Sequence, residues 1–310
     1  MKAIMYHYVR PDEPSLPYFR HLHVDDFVKQ LEYFGNEYGF LSKEEFQECF
    51  SSAIPREGVV LTFDDGFKDH YCYVLPELLK RGLWGIFYIP TNQFLTGKLI
   101  DVHRIHMLLG MYGGNIISNA IRDIITDDML SHAHVEEFER QTYIRHNSNA
   151  STTNVKRLLN YFIDYRYRES VIDELMSVYY PNEKDLVWDF YMTKAEIAHM
   201  HNSGMVLGGH TVSHPVMSKL TIDKQEIEIV SSYQMIESIT GKVALKTFCY
   251  PYGGPHTFTV QTEGLLDSHC YLFSFKVESR DINKKDLTSR RQALPRFNCN
   301  EFPHGLCRHL

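Results

Sequence analysis

Two adjacent carboxylates, Asp64 and Asp65, end an apolar run from Val59 to Phe63 and are followed by Gly66. Neighbouring carboxylates repel each other and raise one pKa unless a cation accepts one of them. One as a metal ligand and the other as a base is the natural division. Asp-Gly is also ordinary turn chemistry, so the pair alone supports either reading. His210 and His214 stand four residues apart in HTVSHP. On a helical turn that spacing puts both imidazoles on one face, which suits a divalent metal in a site with an open position. An isolated HxxxH is equally compatible with packing. What links the two motifs is where they fall. Val59 to Phe63 reads as a buried strand, and Met205 to Leu207 reads as another, leaving through Gly208 and Gly209.

The elements around these motifs alternate. Ala3 to Tyr8 is a short apolar strand, and Val24 to Tyr38 has apolar residues at helical spacing. Tyr71 to Arg81 reads as a helix closed by Gly82, and Trp84 to Ile89 as a strand closed by Pro90. After Met192 the rhythm resumes: a helix capped by Thr193 with Glu196 in a capping box, the strand before HTVSHP, a helix from Asp223 to Ile239, and a strand from Ala244 to Tyr250. Two short strands near Tyr271 to Phe275 and Ala293 to Phe297 complete it. Strand, helix, strand implies a parallel sheet with crossover helices, whose ligands gather at the carboxyl ends of the strands. Between residues 96 and 186 the pattern is helical and rich in Tyr, Arg and Glu, which predicts an α-helical insertion into an α/β unit formed by 1–95 and 187–310. Its aromatics, Tyr161, Phe162, Tyr165, Tyr167, Tyr179 and Tyr180, with Trp188 just beyond, read as packing; part of the insertion is expected to cap the catalytic face.

The 310 residues carry 32 basic and 39 acidic side chains, a net charge of −7, so no global footprint for nucleic acid is present. No apolar stretch approaches the length of a membrane span, and the first residues, MKAIMYHYVRPDEP, are too short in apolar character for a signal-peptide core. The expectation is a cytoplasmic protein with at most peripheral membrane contact. The 6 cysteines show no CxxC spacing and read as free thiols. Of the 17 histidines, His103 and His106 are close enough in sequence for a second metal with Asp101, although packing or substrate contact fits them better. His132, His134, His146, His199 and His201 read as solvated.

TFDDG at Thr62 to Gly66, HTVSHP at His210 to Pro215 and FCYPYG at Phe248 to Gly253 together resemble the polysaccharide deacetylases, the NodB-homology family or carbohydrate esterase family four. MYHYVR at Met5 to Arg10 resembles the first-strand motif of the branch that includes the poly-N-acetylglucosamine deacetylases. The resemblance implies a distorted (β/α)7 barrel and a divalent metal, zinc first with cobalt, nickel or iron as alternatives, held by Asp65, His210 and His214. It implies Asp64 as the general base, a backbone N–H at Tyr252 for the oxyanion, and a groove lined by Tyr250, Pro251 and Tyr252. The family usually has Arg two residues before the groove proline, where this chain has Cys249, and its usual late histidine is not evident. In the branch with the first-strand motif these gaps are filled by a first-strand His and a last-strand Arg, here His7 as general acid and Arg296, in LPRF, orienting Asp64.

The substrate implied is an N-acylated amino sugar, and the intracellular expectation narrows it to a nucleotide- or lipid-linked intermediate of surface-polysaccharide assembly, such as lipopolysaccharide or O-antigen. Two other readings stand beside it. Related barrels hydrolyse C–N bonds of non-sugar amides and cyclic imides, and a catalytically inactive sugar-binding or scaffolding protein would keep the fold without turnover.

Overall fold

The computed structural model describes residues 1–131, 135–142 and 149–309. The chain divides into two compact units, one formed by Met1–Pro11, His21–Thr91 and Trp188–Arg308, the other chiefly by Asp12–Arg20 and Asn92–Val187.

In the first unit the strands are β1 (Lys2–Tyr6), β2 (Val9–Arg10), β3 (Leu22–His23), β4 (Val59–Phe63), β5 (Ile86–Ile89), β6 (Val206–Gly209), β7 (Thr247–Cys249), β8 (Phe273–Phe275) and β9 (Phe297–Asn298). β2 and β3 form a separate parallel pair, and the other seven make one sheet in the order β8-β7-β6-β5-β4-β1-β9. Every pairing in it is parallel, with Ile4 opposite Leu61 and Phe87 opposite Leu207. All five residues of β4 are buried, which is why its sequence is continuously apolar rather than alternating. The sheet curls into a distorted barrel because its last segment reaches both edges. Leu294 bridges Phe275 of β8, and three residues later Phe297 pairs with Ile4 of β1.

Helices fill the crossovers. Val24–Glu37 buries Phe27, Leu31 and Phe34 of the apolar stripe read from its spacing, and also Gln30, while Val24 and Val28 are half-buried. Lys194–Asn202 has the anticipated capping box, with Thr193 accepting from the Glu196 N–H. Three short helices were not anticipated, Lys43–Ser52, Val260–Ser268 and Lys284–Ser289. The helix expected from Tyr71 starts at His70, as a π-helical turn over His70–Val74 that leads into Leu75–Lys80. Pro76 has no N–H to return to the preceding turn, so the ladder is widened there.

Two strand expectations change. The first strand stops at Tyr6, which leaves His7 beyond the sheet. The segment expected as a strand over Ala293 to Phe297 begins instead as a 3-10 turn, Arg291–Ala293, and only Phe297–Asn298 joins β1. Pro295 cannot donate to a ladder, so the pairing breaks around it.

The second unit is helical. Asp101–Ile124 breaks at Gly113 (φ 74°, ψ 165°). Ile105, Leu108, Ile117, Leu159, Ile172 and Leu175 form its core, with Tyr167, Tyr179 and Tyr180 packed against it. Arg104 donates to Asp173 at 2.6 Å and to Glu183 at 2.8 Å, while Arg168 meets Asp101 at 3.0 Å. Among the described residues no helix is long and apolar enough to cross a membrane. His132, His134 and His146 lie outside the described residues.

Candidate active site

The site is built at the carboxyl ends of β4 and β6. Asp64 directly follows β4, and its N–H donates to the Tyr6 carbonyl at 2.9 Å, the last link between β4 and β1. The chain then turns through Asp65 (φ 79°) and Gly66 (φ 64°). Two left-handed residues in succession let both carboxylates reach one place, although strand residues alternate faces. A left-handed aspartate costs roughly 1–2 kcal/mol, so the surrounding packing must hold it.

His210 follows β6, which lies close against β5 only because Gly208 has no side chain: a Cβ there would meet the Tyr88 ring at 2.4 Å. The two imidazoles do meet, with ring centroids 4.8 Å apart, but no helical turn brings them together. The segment is a loop with Thr211 (φ 66°) and His214 (φ 57°) in left-handed conformations, which corrects the helical reading of the spacing. Glu228 ties the loop down. Its Oε2 accepts from the N–H groups of Val212 (2.7 Å) and Ser213 (2.9 Å), and its Oε1 from the Ser213 hydroxyl (2.6 Å). Burial pushes the Glu228 pKa up, opposed by these bonds. Gln can accept from both N–H groups through its carbonyl oxygen and donate from its NH2 to the Ser213 hydroxyl, without the charge, whereas Ala strands two backbone donors. Glu228→Ala is therefore expected to weaken metal affinity about 10–100-fold, as loss of an outer-shell partner does, and Glu228→Gln far less. Metal titration of both variants checks it, and equal losses would contradict the account.

Asp65, His210 and His214 are buried and offer ligand atoms within 4.8 Å of one another. His210 Nε2 and His214 Nε2 lie 3.3 and 3.4 Å from Asp65 Oδ1. The second ring nitrogen of His210, Nδ1, lies 2.7 Å from the Cys249 carbonyl, which can only accept. Nδ1 must carry the proton, so Nε2 presents a lone pair to a carboxylate oxygen. Two acceptors that close call for a cation between them. The electrostatics show the same demand for positive charge: burial would lower the His210 pKa, yet Cys249, Asp65 and Asp64 hold it well above the ordinary value, so that a proton on Nε2 takes the cation's place until a metal displaces it. These residues fit a divalent metal bound by two His and one carboxylate.

Asp64 is engaged differently. Arg296 donates to both of its oxygens at 2.8 Å, and also to Thr62 Oγ1 at 2.9 Å and Cys249 Sγ at 2.8 Å. Arg296 is completely buried and Asp64 is 2% exposed. Burial alone would raise the Asp64 pKa, but the guanidinium, with smaller help from His210 and His7, brings it down to about 2. Asp64, His210 and Cys249 also offer three clustered ligand atoms, but the guanidinium already occupies that side as its cation.

The remaining candidates divide. His7 Nε2 stands 3.9 Å from Asp64 Oδ2 on a half-exposed ring. Tyr252 (φ 62°) sets its ring edge-on to His214 at 5.0 Å, and Pro251 between the two tyrosines is buried. The Tyr250 side chain does not line a groove as expected but is buried: its hydroxyl donates to the Gln292 carbonyl and its ring stacks on Phe258 at 3.8 Å. In the second unit the His103 and His106 rings are 6.1 Å apart, and Asp101 is held by Arg104 and Arg168. Among the described residues they form no cluster of three ligand atoms. His199 is exposed and meets the Tyr71 hydroxyl at 3.1 Å, whereas His201 is half-buried, with Nδ1 enclosed, because its helix packs that side inward.

Sequence reasoning missed Glu228 and His70. Their partners are backbone atoms and a loop hydroxyl, which leave no residue pattern. His70 is fully buried, and burial pulls its pKa down from 6.5 to about 4. The unfolded chain therefore takes up that proton first. Stability is full above about pH 6.5 and is lost as pH falls through about 4, by roughly 3 kcal/mol in all. His70→Gln is expected to remove this dependence, read as a shallower fall of the urea midpoint between pH 7 and 4; an unchanged slope would contradict it.

A family model described as polysaccharide deacetylase matches residues 52–267. Among curated proteins none matches the chain in sequence. Among solved structures it is similar to a Streptococcus pyogenes deacetylase, PplD, in complex with acetate (16% identity, TM-score 0.58, covering 96% of this chain and 91% of that one). It is also similar to IcaB from Ammonifex degensii (16%, 0.54, 96% and 90%) and to a de-N-acetylase from Aggregatibacter actinomycetemcomitans (14%, 0.53, 96% and 93%). These likenesses identify the barrel as the distorted (β/α)7 type of NodB proteins. With the family model spanning more than half its length, the chain belongs to the polysaccharide deacetylases, hydrolases that remove N-acetyl groups from sugars.

Proposed function

We propose that this chain is a metal-dependent N-deacetylase of an amino sugar, with the metal on Asp65, His210 and His214 and the proton transfers on Asp64 and His7. The observation that carries this is the buried Asp65, His210 and His214 set standing beside a carboxylate fixed by a buried arginine. A divalent cation, with zinc the first expectation and cobalt, nickel or iron as alternatives, would supply Lewis acidity toward the acyl oxygen and acidify water.

The protein's own part follows from its geometry. Asp64 stays ionised at neutral pH and accepts the proton of the attacking water, while Arg296 keeps both carboxylate oxygens in place. The Tyr252 N–H stabilises the developing oxyanion. As the C–N bond breaks, the amine must gain a proton, and His7, whose Nε2 lies 3.9 Å from Asp64 Oδ2, gives it in this proposal. The products are acetate and the free amino sugar.

For the carrier, the proposal is an intracellular nucleotide- or lipid-linked intermediate of surface-polysaccharide assembly, in keeping with the expected cytoplasmic location. The test is acetate release from metal-loaded protein across nucleotide-linked, lipid-linked and polymeric N-acetyl sugars, with non-sugar amides and a cyclic imide alongside. Release from a nucleotide- or lipid-linked sugar supports the proposal. Release confined to polymers overturns the carrier, release confined to the non-sugar compounds overturns the sugar, and no turnover with any of them favours a binding or scaffolding protein. His7→Ala is expected to lower kcat about 10²–10⁴-fold, the usual worth of a general acid.

A further inference from the structure

The segment carrying His7 is gripped by the segment that follows the two active-site carboxylates. Tyr8 stacks on Phe67 with centroids 4.2 Å apart, Arg10 Nε lies 3.5 Å from Asp69 Oδ2, and His70 Nε2 lies 2.8 Å from the His7 carbonyl oxygen. A carbonyl oxygen only accepts, so the proton of His70 sits on Nε2 and points at His7.

What surrounds His70 makes that bond its distinctive feature. The ring is fully buried and packs against Phe63, Phe67 and Phe87, with centroids 5.5, 5.5 and 5.7 Å away. Its Nδ1 is buried and has no hydrogen-bond partner. An apolar ring would fill the same space without enclosing an unsatisfied nitrogen, which costs about 1–3 kcal/mol. The widened turn at His70–Val74 begins at this residue. The His7 carbonyl lies just past the end of β1, where the sheet no longer dictates the backbone.

We infer that His70 is a positioning residue for His7, holding the backbone of the general acid so that its imidazole meets the leaving amine. The inference rests on the proposed role of His7. In this role His70 acts by donating one hydrogen bond to the His7 carbonyl. Placement matters because a displacement of about 1 Å in a reacting group can cost on the order of 100-fold in rate.

The experiment compares His70→Phe, which loses the donor, His70→Gln, which keeps one, His7→Ala and the double variant His7→Ala/His70→Phe, all metal-loaded. His70→Phe is expected to lower kcat about 10–100-fold with KM and metal content near those of the parent, and to change the alkaline limb of the kcat–pH profile. His70→Gln should recover most of the rate, and the double variant should be no slower than His7→Ala. Should His70→Phe fail to fold, His70→Met serves as the donor-free variant. Parental kcat in the donor-free variant, an unaltered pH profile, or a loss that adds in full to that of His7→Ala would overturn the inference. Parental kcat in His7→Ala would instead overturn the general-acid reading beneath it.

Discussion

Arg296→Met is expected to abolish acetate release and to cost the fold about 3–5 kcal/mol, the penalty for leaving a buried charge without its partner. Asp64 would keep its burial and lose both hydrogen bonds from the guanidinium. Its pKa would then rise, because burial would no longer be opposed, and a protonated Asp64 cannot act as a base. Asp64→Asn strands the guanidinium instead and should also destabilise. The double variant Asp64→Asn/Arg296→Met contains neither charge and should recover most of the lost stability while remaining inactive. Urea denaturation of the four proteins measures this as a double-mutant cycle. Simply additive losses would show that the two residues are not coupled. The pair also has a defined pH signature. Because the folded pKa of Asp64 is depressed from 3.8 to about 2, its stabilisation is present above about pH 4 and disappears as pH falls through about 2.

The second large effect separates ligand from base. Asp65→Ala and His214→Ala are expected to lose metal affinity by more than the roughly 10–100-fold typical of outer-shell partners, because each removes a ligand atom. Asp64→Asn should bind metal about as well as the parent yet lose about 10²–10⁴ in kcat. The distinction follows from the geometry: both Asp64 oxygens are taken by Arg296, whereas Asp65 Oδ1 faces the two histidines. Metal content by elemental mass spectrometry, set beside acetate release for each variant, provides the check. Metal loss in Asp64→Asn, or parental activity there, would reverse the two assignments.

What could be read from sequence were the features written in residue type. The apolar run of β4 and the glycines of β6 placed Asp64, Asp65, His210 and His214 at corresponding strand ends, and the structure brings them together. The fold was legible for the same reason, since parallel strands buried on both faces are continuously apolar. The path between His210 and His214 was not, because nothing in Thr or His announces a left-handed residue; the loop is held in that shape by Glu228. Lys43–Ser52 went unread although Ser42 and Glu45 spell its capping box. The shortness of β9 follows from Pro295, which the apolar content of LPRF obscured.

The closing segment of the barrel sets an order of events. Asp64 and Arg296 are separated by 232 residues, and Arg296 lies between Leu294, which meets β8, and Phe297, which meets β1. Until that segment docks, Asp64 lacks its guanidinium partner, and burying it unpaired would be costly. Such long-range closure is slow, since loop entropy is lost before any contact rewards it. The ring of strands and the Asp64–Arg296 pair are therefore expected to form together, and recovery of activity during refolding, followed beside docking of the last segment, checks it.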